Sequence, residues 1–171
     1  MANLWSILGE VGHVEAICIA AADSAPMQLL ASVEAIAGVG LRGDRYAEGT
    51  GFYSKRPTDP GAREVTLISA EVLDHLNQQY GIRLTPSEHR RNLTVRSVNL
   101  EELIGQRFSI GEVVLEGVKD CPPCDHLEQL TGKPVLQPLV NRGGLRARIL
   151  IGGTLRVGDS VSVRPRAEIA T

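Results

Sequence analysis

Leu145-Arg146-Ala147-Arg148-Ile149-Leu150-Ile151-Gly152-Gly153-Thr154-Leu155-Arg156-Val157-Gly158-Asp159-Ser160-Val161-Ser162-Val163 carries apolar side chains at a period of two. Leu145, Ala147, Ile149 and Ile151 alternate with Arg146, Arg148 and Leu150. That spacing belongs to a strand with one buried face, since successive side chains point to opposite sides of a sheet. Gly152-Gly153 reads as a hairpin turn, and Leu155, Val157, Val161 and Val163 carry the last strands around Gly158-Asp159. Upstream, Phe108 and Ile110 lead into a Gly111-Glu112 turn, and Val113 and Leu115 continue beyond it. Short strands, frequent glycine turns and few helices predict a mostly β protein, a closed or nearly closed β-barrel.

The N-terminal half adds strands and a few short helices. Val14, Ile17 and Ile19 mark a strand within Val11 to Ala22. Three glycines in the six residues Gly38 to Gly43 disfavour regular structure, and the stretch on to Gly61 reads as a long loop, functional or mobile. Val65-Thr66-Leu67-Ile68 reads as a strand. Ser69 can cap the helix after it, Val72, Leu73, Leu76 and Tyr80 share one helical face, and Gly81 supplies the stop. Thr85-Pro86-Ser87-Glu88 has the form of a capping box and predicts a helix of a turn or two before the extended Leu93-Thr94-Val95. Asn99 and Glu102 start a similar short helix through Leu103-Ile104, ended by Gly105.

The 171 residues fit one domain with a sizeable core, and 43% hydrophobic with 22% charged residues is an ordinary globular mix. A net charge of −2 offers no overall attraction to nucleic acid or to an anionic membrane, so an anionic ligand would need a local arginine cluster. Aromatics at 4% make base-stacking platforms of the single-strand-binding kind improbable. No run of about 18 apolar residues predicts a membrane helix, and Met1 to Ser6 lacks the basic start of a secretory signal. Three cysteines, an odd count, argue against a disulfide framework, and a reducing cytoplasm is the expectation.

Cys121-Pro122-Pro123-Cys124 follows the strand pattern Val113 to Val118. Asp125 stands at an N-cap position before His126, Leu127 and Leu130 in helical spacing, which places Cys124 at or near a helix N-terminus. Backbone donors and the helix dipole there favour thiolate over thiol. From the residues alone four readings stay open: a structural pair of small buried residues, a redox Cys-x-x-Cys, a zinc site using Cys121, Cys124 and His126, or one reactive thiolate. Cys18, in an apolar run, reads as core. Three groups of basic residues lie in or beside loops: Arg42, Asp44 and Arg45; Arg90 and Arg91 with Asn92; and Arg142 with Arg146 and Arg148. Guanidinium forks suit phosphate and pterin oxygens, and a solvated sheet face is the plainer reading. Asp44 can orient Arg42 or Arg45 by an ion pair. Of the histidines, His75 and His89 read as surface and flanking residues, while His126 can tune a thiolate two residues away. The four histidines have no metal-ligand spacing, and no nucleophile elbow, P-loop or dinucleotide fingerprint occurs.

These pieces, in this order, resemble the MOSC domain family, named after the C-terminal part of molybdenum-cofactor sulfurases. The matching blocks are Gly40 to Tyr46, Val65 to Ile68 with its helix, Arg90 to Leu93, Leu103 to Gly111, Cys121 to Glu128, Arg142 to Ala147 and Gly152 to Asp159, within a core of about 11–163 in a single domain of 1–171. The resemblance implies a β-barrel of the pyruvate-kinase-insert type with peripheral helices. It also implies a cleft for the molybdenum cofactor (molybdopterin) and a cysteine that ligates molybdenum or carries sulfur as a persulfide. That cysteine role falls on Cys124 or Cys121, with Cys124 the better match because it follows a proline and opens the helix. Arg42, Asp44, Arg91, Asn92 and Arg146 are the implied cleft residues, with His126 beside them.

Three functions follow from the resemblance. One is a small molybdenum-dependent reductase of N-hydroxylated compounds. The second is a carrier passing sulfane sulfur from a cysteine persulfide to metal-sulfur centres. The third is a cofactor-binding module without catalysis. The expected partners are the cofactor, a small-molecule substrate, and a redox or sulfur-donor protein, with no nucleic acid and no membrane. The chain carries neither the pyridoxal-phosphate sulfurase domain of the fused relatives nor the extra N-terminal domain of the amidoxime-reducing enzymes.

Overall fold

A computed structural model describes residues 12–163; Val11 and the Met1 to Ser6 start lie outside the described residues. The elements are β1 (Gly12–Ile19), β2 (Gln28–Leu30), β3 (Ser32–Ile36), β4 (Gly40–Leu41), β5 (Val65–Ser69), α1 (Ala70–Tyr80), β6 (Leu93–Arg96), a 3-10 turn (Leu100–Leu103), β7 (Arg107–Ile110), β8 (Val113–Asp120), α2 (Asp125–Thr131), β9 (Leu145–Ile151), β10 (Gly153–Arg156) and β11 (Ser160–Val163). Seven strands close into a barrel in the order β1-β11-β7-β8-β9-β5-β6, because β1 pairs with both β11 and β6. β2 extends the sheet beyond β1. Among the described strands only β5 and β6 run parallel, and a parallel step needs a long crossover, which α1 and the chain up to Asn92 supply.

The period-two pattern sets the inside of this barrel. Leu145, Ala147 and Ile149 point inward and pack with Val65, Leu67, Leu93, Phe108 and Leu115, while Arg146 and Arg148 point out. Each large side chain so buried contributes about 1.5–3 kcal/mol. Ile151, at the strand's end, escapes the pattern at 51% exposed. The β7–β8 hairpin turns at Gly111-Glu112 as expected, with Ile110 opposite Val113.

Gly152-Gly153 is not a hairpin turn. β8 takes one edge of β9; on the other edge β5 covers only Leu145–Ala147, and further along Ile149 gives its N–H to Glu64 Oε1 and its carbonyl to the Gly38 N–H, so β10 leaves the barrel and pairs with β3, Leu155 opposite Val33. The three strands β10-β3-β4 form a small second sheet, and Val33, Ala35, Leu41 and Leu155 join the barrel core. Gly152 is needed at this corner because a Cβ would lie 2.6 Å from the Ala35 carbonyl oxygen.

The helix signals were partly misleading. α1 ends as expected, with Gly81 at φ 63° and its N–H donating to the Asn77 carbonyl. Ser69 does not cap it: its hydroxyl donates to Glu71 Oε2 instead, and Tyr80 is 54% exposed rather than on the packed face. The Thr85–Glu88 capping box forms only its acidic half, the Thr85 N–H donating to Glu88 Oε1 at 3.0 Å. No helix follows, only a turn, because His89 goes into the core and Arg90 takes φ 64°. Asn99 likewise caps nothing with its side chain, and only one 3-10 turn forms after it. A second core of Leu76, Leu84, Leu127, Val135 and Leu139 packs α1 against α2, outside the barrel.

Candidate functional site

β8 leaves the barrel at Asp120, and Cys121-Pro122-Pro123-Cys124 carries the chain outward into α2. Cys124 itself is the N-cap residue and Asp125 the first helical one, a position earlier than the sequence suggested. The segment is held by its backbone. Arg91, 5% exposed, donates from Nη2 to the carbonyls of Cys121 (3.0 Å) and Pro122 (3.1 Å), from Nε to Gly143 (2.7 Å) and from Nη1 to His89 (3.1 Å). The Cys121 N–H donates to the Gly144 carbonyl at 2.8 Å. Gly143 lies against the other side, where a Cβ would sit 2.3 Å from the Cys121 carbonyl oxygen.

His89, expected as a flanking residue, is the support beneath Arg91. It is fully buried; its Nδ1 accepts the Arg91 backbone N–H at 3.0 Å, and its Nε2 lies 2.8 Å from Thr94 Oγ1. An Nδ1 that accepts carries no proton, so Nε2–H is the donor to Thr94. Burial, helped by the nearby Arg91 charge, pushes the His89 pKa down to about 3.

Beside the segment opens a cavity of about 250 Å³. One wall is Cys121, Pro122, Pro123, Cys124, His126 and Arg91; the barrel's outer face adds Thr66 and Arg146, which are paired across β5 and β9. The other wall comes from the long loop: Tyr46, Phe52, Tyr53 and Arg63. Phe52 stacks on His126 with ring centroids 3.9 Å apart and planes 11° from parallel, and Tyr53 meets Phe52 edge-on at 4.7 Å. Burial, then the adjoining Cys124 side chain, raises the Tyr53 pKa to about 12. Arg63 Nη1 donates to the Arg56 carbonyl at 2.6 Å, while its Nε is buried with no partner among the described residues. Burial and the neighbouring Arg146 and Arg56 charges lower the Arg63 pKa.

Of the residues singled out from the sequence, Cys121, Cys124, Arg91, His126 and Arg146 meet at this cavity, and Arg42, Asp44 and Asn92 do not. Arg42 is a surface residue paired with Glu34 through Nε at 2.5 Å, its side chain 65% exposed. Asp44 is wholly buried and works from behind: Oδ1 accepts from the Ala20 N–H and from Arg45 Nη1, both at 3.1 Å. Arg45, so held, lines the cavity and donates from Nη2 to the Arg90 carbonyl. Asn92 ties three strands together, accepting from the Thr66 N–H at 3.0 Å and donating to the Cys18 carbonyl at 3.1 Å. Cys18 is core as expected, 1% exposed, with burial raising its pKa to about 11. Sequence reasoning missed Phe52, Tyr53 and Arg63; the length of their loop was the one available signal.

A closed β-barrel thus carries, beside it, one cavity lined by cysteine and arginine side chains. The MOSC domain model matches residues 45–162, and the chain belongs to the MOSC domain family, which is linked to binding of the molybdenum cofactor. The chain is similar in structure to the YuaD protein of Bacillus subtilis, with a TM-score of 0.73 and 17% identity over 90% of this chain and 97% of that one. It is also similar to YiiM from Geobacillus stearothermophilus (TM-score 0.68, 14% identity, 93% and 78% covered). YiiM from Escherichia coli follows at 0.63 and 14% identity, with 90% and 70% covered. No curated protein matches the chain in sequence.

Proposed function

We propose that residues 11–163 act as one domain that binds the molybdenum cofactor in this cavity and reduces N-hydroxylated small molecules there. The observation that supports this most is that half-buried Cys124 lines the same cavity as Arg63, whose Nε is a buried donor lacking an acceptor among the described residues. A buried donor without a partner costs about 1–3 kcal/mol, so an anion that accepts from it recovers that energy on binding. The donor set fits the cofactor: two soft cysteine sulfurs, several arginines, and aromatic faces for a flat ring system. Among the described residues no group of three or more His, Cys, Asp or Glu can hold a metal, so a metal here would bring its other ligands with it.

Cys124 would hold the metal, Arg63 and Arg146 would pair with the cofactor's anionic oxygens, and Tyr53 and His126 would face the substrate side. The bound cofactor would supply the two-electron reduction. The stacked Phe52 and His126 rings line the same cavity. His126 Nε2, 3.4 Å from Ser24 Oγ and 3.6 Å from Asp23 Oδ1, would take a proton from solvent and offer it at the mouth. Electrons would come from a redox protein. The three thiols are free, which suits a cytoplasmic, reducing compartment, and no helix among the described residues is long and apolar enough to cross a membrane.

The test is reduction of a hydroxylamino base by protein purified from a host that makes the cofactor. Activity abolished by Cys124→Ser and retained by Cys121→Ser supports the reading. A persulfide on Cys124 in protein free of pterin would instead favour the sulfur carrier, and bound cofactor indifferent to both substitutions a storage module.

A further inference from the structure

The two thiols share one cavity, yet the chain between them cannot close. Cys121 and Pro122 each precede a proline, which excludes the α region and keeps them extended. Among the described residues no peptide is cis, and neither turn nor bend occurs within residues 121–124. A polyproline-like rise of about 3.1 Å per residue puts the two Cα atoms about 9 Å apart. A disulfide requires less than about 7 Å unless the backbone moves. Movement is opposed on both sides: Arg91 holds the Cys121 and Pro122 carbonyls, Gly144 takes the Cys121 N–H, and Gly143 is packed against the segment. Cys121 therefore cannot resolve a bond formed at Cys124, which separates this pair from a thioredoxin-like Cys-x-x-Cys.

The cavity also selects what reaches Cys124. Five arginines line it (Arg45, Arg63, Arg90, Arg91 and Arg146) against one acidic residue, Asp23. We propose that Cys124 is a site of S-thiolation by anionic low-molecular-weight disulfides, and that the reaction stops at the mixed disulfide. The Cys124 thiolate attacks one sulfur of the small disulfide. A bond from Cys124 Sγ to that sulfur forms, the original S–S bond breaks, and the other half leaves as a thiolate. One disulfide replaces another, so no outside oxidant is needed. The adduct occupies the cavity until an external thiol removes it. This inference stands on the protein's own geometry and does not depend on the cofactor reading.

The experiment incubates the purified, cofactor-free full chain with glutathione disulfide and follows it by intact mass and peptide mapping. One stable glutathionyl adduct on Cys124 is expected, formed at the same rate in Cys121→Ser and absent in Cys124→Ser. Cystamine, a cationic disulfide, should react about tenfold more slowly, and Arg63→Gln should narrow that difference. An internal Cys121–Cys124 disulfide in the folded protein overturns the proposal, as does an adduct that survives Cys124→Ser. Equal rates with glutathione disulfide and cystamine overturn the assignment of an anionic partner.

Discussion

The two walls of the cavity are built by opposite means. The Cys121–Cys124 wall is fixed through its backbone: its Cys121 and Pro122 carbonyls accept from the guanidinium of Arg91, which also donates to the Gly143 and His89 carbonyls, with the His89 ring beneath it. The wall from Tyr46 to Arg63 presents side chains: the Phe52–His126 stack, Tyr53 beside Cys124, and the Nε of Arg63, unpaired among the described residues. A backbone-pinned wall places the sulfur, and a side-chain wall sets what fits against it. The first should therefore answer to mutation in stability, the second in binding.

The largest effect is expected at Arg91. Arg91→Ala strands four carbonyls, and at about 1 kcal/mol each the loss is about 4 kcal/mol, read from urea denaturation. A loss under about 1 kcal/mol would mean that the segment holds itself. Next comes acid. An unfolded histidine binds its proton near pH 6.5, but folded His89 does so only near 3. Between those values the unfolded chain carries the extra proton, so stability falls as pH falls from 6.5, by up to about 1.4 kcal/mol per unit. His89→Gln should be less stable at pH 7 and lack that part of the acid slope; an unchanged slope would locate the titration elsewhere.

On the other wall, Arg63→Gln should weaken pyrophosphate binding about tenfold by calorimetry, or about 1.4 kcal/mol, with the denaturation midpoint unmoved. Unchanged affinity would remove Arg63 from anion recognition. The smallest effect is expected for Phe52→Leu, which gives up the ring stack at about 1 kcal/mol or less and should speed alkylation of Cys124 by opening the mouth.

The same division explains what could be read without coordinates. Local signals succeeded where local physics decides: the alternation of β9, the two-residue turn at Gly111-Glu112, the Gly81 stop, and the emergence of Cys124 at the start of α2. They failed where a distant partner decides. Gly152-Gly153 has hairpin composition, but beside the turn β9 is bonded to β8 on one edge and to Glu64 and Gly38 on the other, which leaves no place for β10. Thr85–Glu88 has helix-start composition, but burial of His89 and the left-handed Arg90 end the turn. Arg42 sits in the same glycine-rich loop as Arg45, and only the fold shows that Arg45 turns in while Arg42 turns out to Glu34. Phe52, Tyr53 and Arg63 lie in a loop without periodicity, so nothing local marked them.

The most direct test of a cofactor held at Cys124 is the molybdenum-to-protein ratio of wild type, Cys121→Ser and Cys124→Ser, purified side by side from a host that makes the cofactor. Wild type and Cys121→Ser should retain the metal in equal amounts, and Cys124→Ser should lose it. Equal molybdenum in all three, or none in any while the same host loads another molybdenum protein, would contradict the account.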